Sequence, residues 1–159
     1  MMQARYLHSR RGFIARGLAL LASVGAAAKT QAQAVANVED IVPAIHDFTQ
    51  GAAVKPGKIK LDIPRLADNG NSIALKLNVD SPMTAADHVK RVGIFSEKNP
   101  RPVIARFYFN AHSGKAEVTT RIRLAGTQRV VAIAELSDGT FWSDVAEVSV
   151  TLSACLDAT

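Results

Sequence analysis

Cysteine is nearly missing from this chain, which has one residue of this type, Cys155, among 159 residues. A single thiol cannot close an intramolecular disulfide, so the fold must be stabilised by packing and hydrogen bonds. Cys155 is the fifth residue from the C-terminus and follows the last strand-like run of the sequence. That position argues against burial, and it leaves pairing with another chain or chemical use as roles for the thiol.

Histidine is also scarce, and the usual metal-binding spacings are missing. After residue 34 the histidines are His46, His88 and His112, and no Cys-x-x-Cys, His-x-x-His or His-Glu-x-x-His pattern occurs. The sequence therefore gives no support for a metal site or another cofactor. One of these histidines could approach Cys155 in space, but a cysteine on a terminal tail is poorly held for catalysis. We predict a protein that is not itself an enzyme.

Long apolar runs are lacking too, and the longest one lies near the N-terminus. It covers about twelve residues from Gly17 to Ala28, whereas a membrane span needs about twenty. Arg10 and Arg11 precede it, and the small-residue pattern Ala32-Gln33-Ala34 follows it. This order is typical of a cleaved twin-arginine (Tat) export signal. We predict cleavage after Ala34 and a mature protein in the periplasm with no membrane span; an uncleaved anchor is the alternative.

The positive charge of the chain belongs to this segment. The chain has 19 Lys and Arg against 14 Asp and Glu, a net charge of +5. Residues 1–34 contain no acidic residue and account for the whole excess, through Arg5, Arg10, Arg11, Arg16 and Lys29. The remaining chain has no net charge, so neither nucleic-acid binding nor a basic membrane patch is indicated. Its roughly 125 residues are enough for one domain with its own core.

One helix is predicted near the start of the mature chain. Apolar residues recur at helical spacing from Val38 to Phe48, Asn37 can cap the helix together with Asp40, and Gly51 can end it. We predict a loop from Gly51 to Gly57.

The rest of the domain has the pattern of short strands. Alternating or continuous apolar runs predict seven of them, at 59–63, 73–79, 92–95, 103–109, 117–124, 130–136 and 146–152. Turn residues separate them, including Asp68-Asn69-Gly70-Asn71, and Asp138-Gly139 predicts a hairpin. The fold class expected is all-β, an immunoglobulin-like antiparallel β-sandwich with a short N-terminal helix. We therefore divide the chain into a signal peptide (1–34), a sandwich domain (35–152) and a C-terminal arm (153–159).

The arm carries the thiol between Ser153 and Ala154 on one side and Leu156 and Asp157 on the other. Three extended residues reach about 10 Å, so Cys155 could project from the domain. A projecting thiol suits a covalent carrier of a bound group and suits an intermolecular disulfide equally well; it could also be idle.

Two further features have an ordinary explanation. Trp142 follows the Asp138-Gly139 turn and fits packing in the core or an interface. Arg121 and Arg123 share one strand face and could bind an anion, although such pairs more often lie on a solvated or partner-contacting face.

The sequence closely resembles the SoxY family, the sulfur-carrier subunits of the periplasmic sulfur-oxidising (Sox) system. The resemblance covers nearly the whole precursor and rests on six short runs in order, together with the export signal and the terminal cysteine. These runs are Lys60-Leu61-Asp62-Ile63-Pro64, Asp68-Asn69-Gly70-Asn71, Val79-Asp80-Ser81-Pro82-Met83-Thr84, Phe95-Ser96-Glu97-Lys98-Asn99-Pro100, Thr120-Arg121-Ile122-Arg123-Leu124-Ala125 and Ser137-Asp138-Gly139-Thr140-Phe141-Trp142.

The resemblance implies a carrier whose Cys155 holds sulfur intermediates covalently. It implies a heterodimer with a SoxZ-like subunit and three enzymes that act on the bound group. In that family the c-type cytochrome SoxAX couples thiosulfate to the thiol, the dimanganese hydrolase SoxB releases sulfate, and the molybdenum–haem dehydrogenase SoxCD oxidises the remaining sulfur.

The arm itself departs from the family pattern. Members of the family typically have Gly-Gly-Cys-Gly-Gly, where this chain has Ser153, Ala154, Leu156 and Asp157 around Cys155. The side chains make the arm stiffer and bulkier, and Asp157 adds a negative charge beside the thiol. The arm could serve partners with wider channels, or the protein could carry another sulfur species or serve another periplasmic pathway. It could also be a SoxZ-binding subunit that carries nothing.

Overall fold

The computed structural model describes residues 41–154. The predicted signal peptide, the predicted cleavage site at Ala34 and the predicted helix cap at Asn37 and Asp40 lie outside this range. The described chain forms one helix and nine strands: α1 (Ile41–Thr49), β1 (Val54–Pro56), β2 (Ile59–Asp62), β3 (Leu66–Asn69), β4 (Ile73–Val79), β5 (Val89–Ser96), β6 (Val103–Tyr108), β7 (Glu117–Ile122), β8 (Gln128–Leu136) and β9 (Phe141–Leu152).

The strands form two sheets that pack face to face. The larger sheet has the order β1-β9-β8-β5-β6, with β3 also paired to β9, and the smaller has the order β2-β4-β7. Strand β4 shows why the sheets pack together: Ile73, Leu75, Leu77 and Val79 are buried while the residues between them are exposed. An alternating strand must bury one face, and here that face meets the larger sheet. The predicted all-β sandwich is confirmed.

Strand β8 was predicted to be central because it is almost wholly apolar, and it is flanked by β5 and β9. Its second face is covered by α1, whose Phe48 packs edge-on against Phe95 and Phe141 at centroid distances of 5.5 and 6.2 Å. Ile133 of β8 belongs to the same cluster. A strand that is buried on both faces has no polar side to present, which explains its composition.

The helix is also fixed to the sheet by charged groups. Arg91 of β5 stacks on the Phe48 ring at 4.6 Å and donates a hydrogen bond from Nη2 to the Phe48 carbonyl oxygen at 2.9 Å. The buried Glu135 carboxylate pairs with Arg91 Nε and with Lys90 Nζ. The distance from Lys90 Nζ to Glu135 Oε1 is 2.7 Å. Burial alone would raise the pKa of Glu135, but the hydrogen bonds from Lys90 and Arg91 outweigh it and lower the pKa.

Two short strands were not predicted, and both run parallel to β9. Val54–Pro56 pairs with Phe141–Ser143, in a segment predicted as a loop, and Leu66–Asn69 pairs with the region from Ser149 to Leu152, overlapping a predicted turn. The sandwich therefore has nine strands rather than about seven, and it is not wholly antiparallel. The reason is the length of β9, whose outer edge would otherwise expose unpaired backbone groups.

The predicted hairpin is confirmed between β8 and β9. Leu136 donates its N–H to the Thr140 carbonyl oxygen at 3.0 Å, and Gly139 has a φ of 78°. A positive φ favours glycine at this position of the turn. The described residues include no helix with the length and apolar character of a membrane span.

Candidate functional site

The last described residues show where the C-terminal arm is attached. Strand β9 ends at Leu152, and Ser153 and Ala154 follow it. The Ala154 side chain is 7% exposed, and its N–H donates to the Leu124 carbonyl oxygen at 3.0 Å. The sequence predicts an arm that begins at Ser153, but the domain holds the chain up to the residue directly before Cys155. Cys155, Leu156 and Asp157 lie outside the described residues.

Gly70 connects this segment to the rest of the domain. Its N–H donates to the Leu152 carbonyl oxygen at 2.7 Å, and its carbonyl oxygen accepts the Leu124 N–H at 2.9 Å. We call Gly70, Leu124, Leu152 and Ala154 the arm root. Three separate loops and strand ends thus meet in one set of backbone hydrogen bonds, which fixes the direction in which the chain leaves the domain.

Space, rather than backbone conformation, requires glycine at position 70. A Cβ atom there would lie 2.4 Å from the Leu124 carbonyl oxygen and 2.8 Å from the Ala154 nitrogen. Gly70 is not among the residues with positive φ. Both contacts are with backbone atoms that form the arm root, so no side-chain rotation can relieve them.

A buried polar network holds the chain on both sides of Leu124 in the arm root. Asn99 and Gln128 are 7% and 3% exposed, and the Gln128 amide donates to Asn99 Oδ1 at 3.0 Å. Asn99 Nδ2 donates to the Arg123 carbonyl oxygen at 2.9 Å, and Asn99 Oδ1 accepts the Ala125 N–H at 2.9 Å. The residues on both sides of Leu124 are therefore held by one buried side chain. Buried amides that are fully hydrogen bonded give a loop a single conformation.

The arm root is also where several of the family-like runs come together. The runs at 68–71, 95–100 and 120–125 supply Gly70, Asn99 and Leu124. In sequence these runs indicate only a family resemblance and turns, and nothing in them predicts that they meet. Gln128 lies outside every run, and nothing in the sequence singled it out.

Two exposed arginines, Arg121 and Arg123, lie next to the arm root in sequence or through hydrogen bonds. Arg121 Nη1 donates to Ser72 Oγ at 3.0 Å, and Arg123 is exposed. Glu97 pairs with Arg129, whose Nε donates to Glu97 Oε1 at 2.7 Å. The hydrogen bond from the Arg129 side chain is the main cause of the lowered pKa of Glu97. This pair is neutral overall.

The other residues considered from sequence lie elsewhere. Trp142 packs against the core as predicted, and its ring lies 5.6 Å from Lys55 Nζ and 5.1 Å from Lys58 Nζ. It stands at the start of β9, at the opposite end from the arm root. His46 and His112 are exposed and His88 is half-buried. Within residues 41–154, no three His, Cys, Asp or Glu side chains are grouped so that they could hold a metal ion.

A surface groove of about 450 Å³ lies between β2 and β9. Leu61, Ile63 and Arg65 line one side, and residues from Val145 to Ser149 line the other. The Asp144 carboxylate accepts the N–H groups of two lining residues, Leu61 at 2.8 Å and Val145 at 2.9 Å.

The sequence matches the family profile described as sulfur oxidation protein SoxY over residues 45–155. The chain belongs to the SoxY family. Among solved structures, the sulfur carrier protein SoxY from Chlorobium limicola f thiosulfatophilum has 25% sequence identity and a TM-score of 0.60. The match covers 71% of this chain and 97% of that one. No curated protein sequence matches the chain.

The SoxY fold is shared with proteins of another activity. Superoxide reductase (neelaredoxin) from Ignicoccus hospitalis has 18% identity and a TM-score of 0.53, with 59% of this chain and 80% of that one covered. Superoxide reductase from Nanoarchaeum equitans also has 18% identity, with a TM-score of 0.52, 60% of this chain covered and 100% of the other. At such identity the likeness concerns the sandwich alone.

Proposed function

We propose that this chain carries sulfur intermediates of thiosulfate oxidation on Cys155 and presents them to separate enzymes. The observation that carries the proposal is the SoxY family match, which extends to residue 155 and so includes the cysteine. The arm root supports it, because the domain fixes the residue directly before Cys155. A carrier needs its attachment point held at a defined place on the surface while the group itself stays accessible.

In the proposed cycle, the only group of this chain that forms and breaks covalent bonds is the Cys155 thiol. In the loading step the thiol loses a proton, and its sulfur forms a bond with the outer sulfur of thiosulfate. Two electrons leave to a c-type cytochrome of the SoxAX kind, and the product is Cys155–S–S–SO₃⁻. Hydrolysis by a SoxB-like enzyme then breaks the bond to the SO₃ group, which releases sulfate and a proton and leaves a persulfide on Cys155. A SoxCD-like dehydrogenase oxidises the remaining sulfur where that enzyme is present.

The proposed setting is the periplasm, reached through the Tat route with cleavage after Ala34. The proposed partner is a SoxZ-like subunit in a heterodimer. The absence of net charge in residues 35–159 fits a partner that is recognised by shape and apolar contact rather than by a strong field.

A second function is favoured by one observation at the arm. The Ala154 methyl group is buried, whereas the typical family member has glycine at the residue before the cysteine. A buried side chain makes the arm more firmly attached and shorter in reach. That suits a SoxZ-binding subunit that carries no sulfur, or a carrier for another periplasmic pathway.

Intact mass spectrometry separates these functions. We expect the processed protein, purified with its partner from cells grown on thiosulfate, to show adducts of sulfur or thiosulfate mass that reductant removes. The Cys155→Ser variant should lose every adduct and keep its partner. Adducts that persist in this variant would show that another residue carries the group. A bare thiol in the unaltered protein, under conditions that load a Gly-Gly-Cys-Gly-Gly homologue, would establish the second function.

A further inference from the structure

Arg121 and Arg123 lie beside the arm root with no negative partner. Both are exposed, and among residues 41–154 no carboxylate is within ion-pair distance of either guanidinium. The Arg121 side chain is instead oriented by the Ser72 hydroxyl at 3.0 Å. Guanidinium groups bind sulfonate-like oxygens through paired hydrogen bonds, and an unpaired one is available for this.

The hydrogen bonds of the arm root connect the backbone of Arg123 to Ala154, the residue directly before Cys155. Arg123 is bonded to Leu124, whose carbonyl oxygen accepts the Ala154 N–H at 3.0 Å, and Ala154 is bonded to Cys155. Whatever conformation residue 155 takes, this path limits the distance between the Cα atoms of Arg123 and Cys155 to about 15 Å. At low ionic strength the Debye length is about 30 Å, so the charge of Arg123 acts on residue 155 across this distance.

The backbone under Arg123 is also held in place. Its carbonyl oxygen accepts from the buried Asn99, and Leu124 on its C-terminal side is bound to Gly70. A charge on a fixed backbone acts at a defined position, in contrast to one on a mobile loop.

We propose that Arg121 and Arg123 form an anion-binding site that attracts thiosulfate to Cys155 and holds the sulfonate end of the bound group. The inference rests on the proposed carrier function and names the residues that recognise its anionic cargo. The same charges offset Asp157, which follows the thiol closely and repels anions. The site thus compensates for the acidic residue that distinguishes this arm from the glycine-rich pattern.

The test compares two alkylating reagents that differ in charge. Iodoacetate is anionic and iodoacetamide is neutral, and both react with the Cys155 thiolate by displacing iodide. Both rates depend in the same way on the fraction of thiolate, so a change in the thiol pKa cancels in their ratio. The ratio therefore reports the electrostatic potential at the thiol. The measurement uses the processed protein at an ionic strength of about 10 mM, where the Debye length is about 30 Å, and again at about 150 mM.

We expect Arg123→Gln to lower the iodoacetate-to-iodoacetamide ratio about twofold at low salt, and the double variant with Arg121→Gln to lower it further. The effect should shrink at the higher salt concentration. Arg106→Gln, which removes an exposed arginine of β6, is the matched control and should change the ratio clearly less. Loading with thiosulfate should fall in the same order.

An unchanged ratio in the double variant would overturn the anion site. If that result came with a weakened partner complex, the two arginines would instead bind an acidic protein surface. The ratio is independent of the Sox enzymes. A protein that shows the ratio effect but never loads sulfur would therefore refute the carrier function while leaving the anion site in place.

Discussion

Gly70 is the residue on which the arm root depends most directly. It takes part in two of the backbone hydrogen bonds there, and the missing side chain lets the Leu124 and Ala154 backbones approach each other. In sequence the Asp-Asn-Gly-Asn run looks like an ordinary turn, in which glycine usually supplies a positive φ. The structural reason is different, because the φ is not positive and the requirement is room between the Gly70, Leu124 and Ala154 backbones.

We predict that Gly70→Ala destabilises the protein by about 1 to 3 kcal/mol, the usual cost of overpacking a tight site. The Ala154 amide should also exchange its hydrogen faster, since its acceptor on Leu124 must move. Chemical denaturation measures the first effect and hydrogen exchange the second.

Gly126→Ala is the matched control for this substitution. A Cβ atom at position 126 would meet only the Ser153 hydroxyl oxygen, at 3.4 Å, so stability and exchange at Ala154 should change little. Equal effects of the two substitutions would show that the close contacts at Gly70 are not what holds the arm.

Among the structural elements, α1 is the one whose attachment is most sensitive to conditions. Its apolar face packs on β5, β8 and β9, and its last turn is held by Arg91 through the Phe48 carbonyl oxygen. Arg91 is in turn oriented by Glu135 on the neighbouring strand. The helix is thus coupled to the ionisation of one buried carboxylate.

We predict that Glu135→Gln lowers the free energy of unfolding by about 1 to 3 kcal/mol at neutral pH, because a neutral amide with one acceptor oxygen replaces a carboxylate that accepts from two charged donors. The pKa of Glu135 is lowered in the folded state, so its contribution is complete above the unfolded value of about 4.3. The contribution disappears as the pH falls through the folded value. The melting temperatures of the two proteins should therefore differ at pH 7, and the difference should shrink as the pH falls below about 4.3.

Glu117→Gln serves as the control, since Glu117 pairs with Lys76 at 3.0 Å on the exposed face of the smaller sheet. Its effect on melting should be small at every pH. A pH-independent difference for Glu135→Gln would mean that packing, rather than charge, accounts for the role of Glu135.

The elements that sequence predicted correctly are those with a strong period. The helix, the alternating strand β4 and the apolar strand β8 each show one clear pattern over several residues. Strands β1 and β3 were not predicted, because each is three or four residues long and contains residues typical of turns, including Pro56 and Asn69. They exist because β9 needs partners along its edge, and that requirement comes from the fold and not from their own sequence.

On the scale of the whole molecule, the two ends of the sandwich differ in what they offer. One end has the arm root, its buried amides and the unpaired arginines, and the other has Trp142 between two lysines. The sequence runs that mark the family are scattered over some eighty residues, and folding brings three of them together at the arm root. Single-sequence patterns describe each segment separately, so this convergence could not be deduced before the topology was known.

The predicted export concerns the whole chain, and a charge-preserving substitution tests it. All of the net positive charge lies in residues 1–34, so two explanations of targeting are possible: general attraction of a basic segment, or recognition of the arginine pair. The double substitution Arg10→Lys with Arg11→Lys keeps the charge and removes the guanidinium groups. We predict that it blocks export, because Tat signals are read by a receptor rather than by charge alone. Arginine and lysine are not equivalent when planar, paired hydrogen bonds are read.

Cell fractionation with intact mass spectrometry gives the result. The unaltered chain should appear in the periplasm without residues 1–34, and the double variant should remain in the cytoplasm at full length. Arg16→Lys, in the same segment but outside the pair, should be exported normally. Normal processing of the double variant would show that the basic segment acts through its charge, and the folded carrier would then need another route across the membrane.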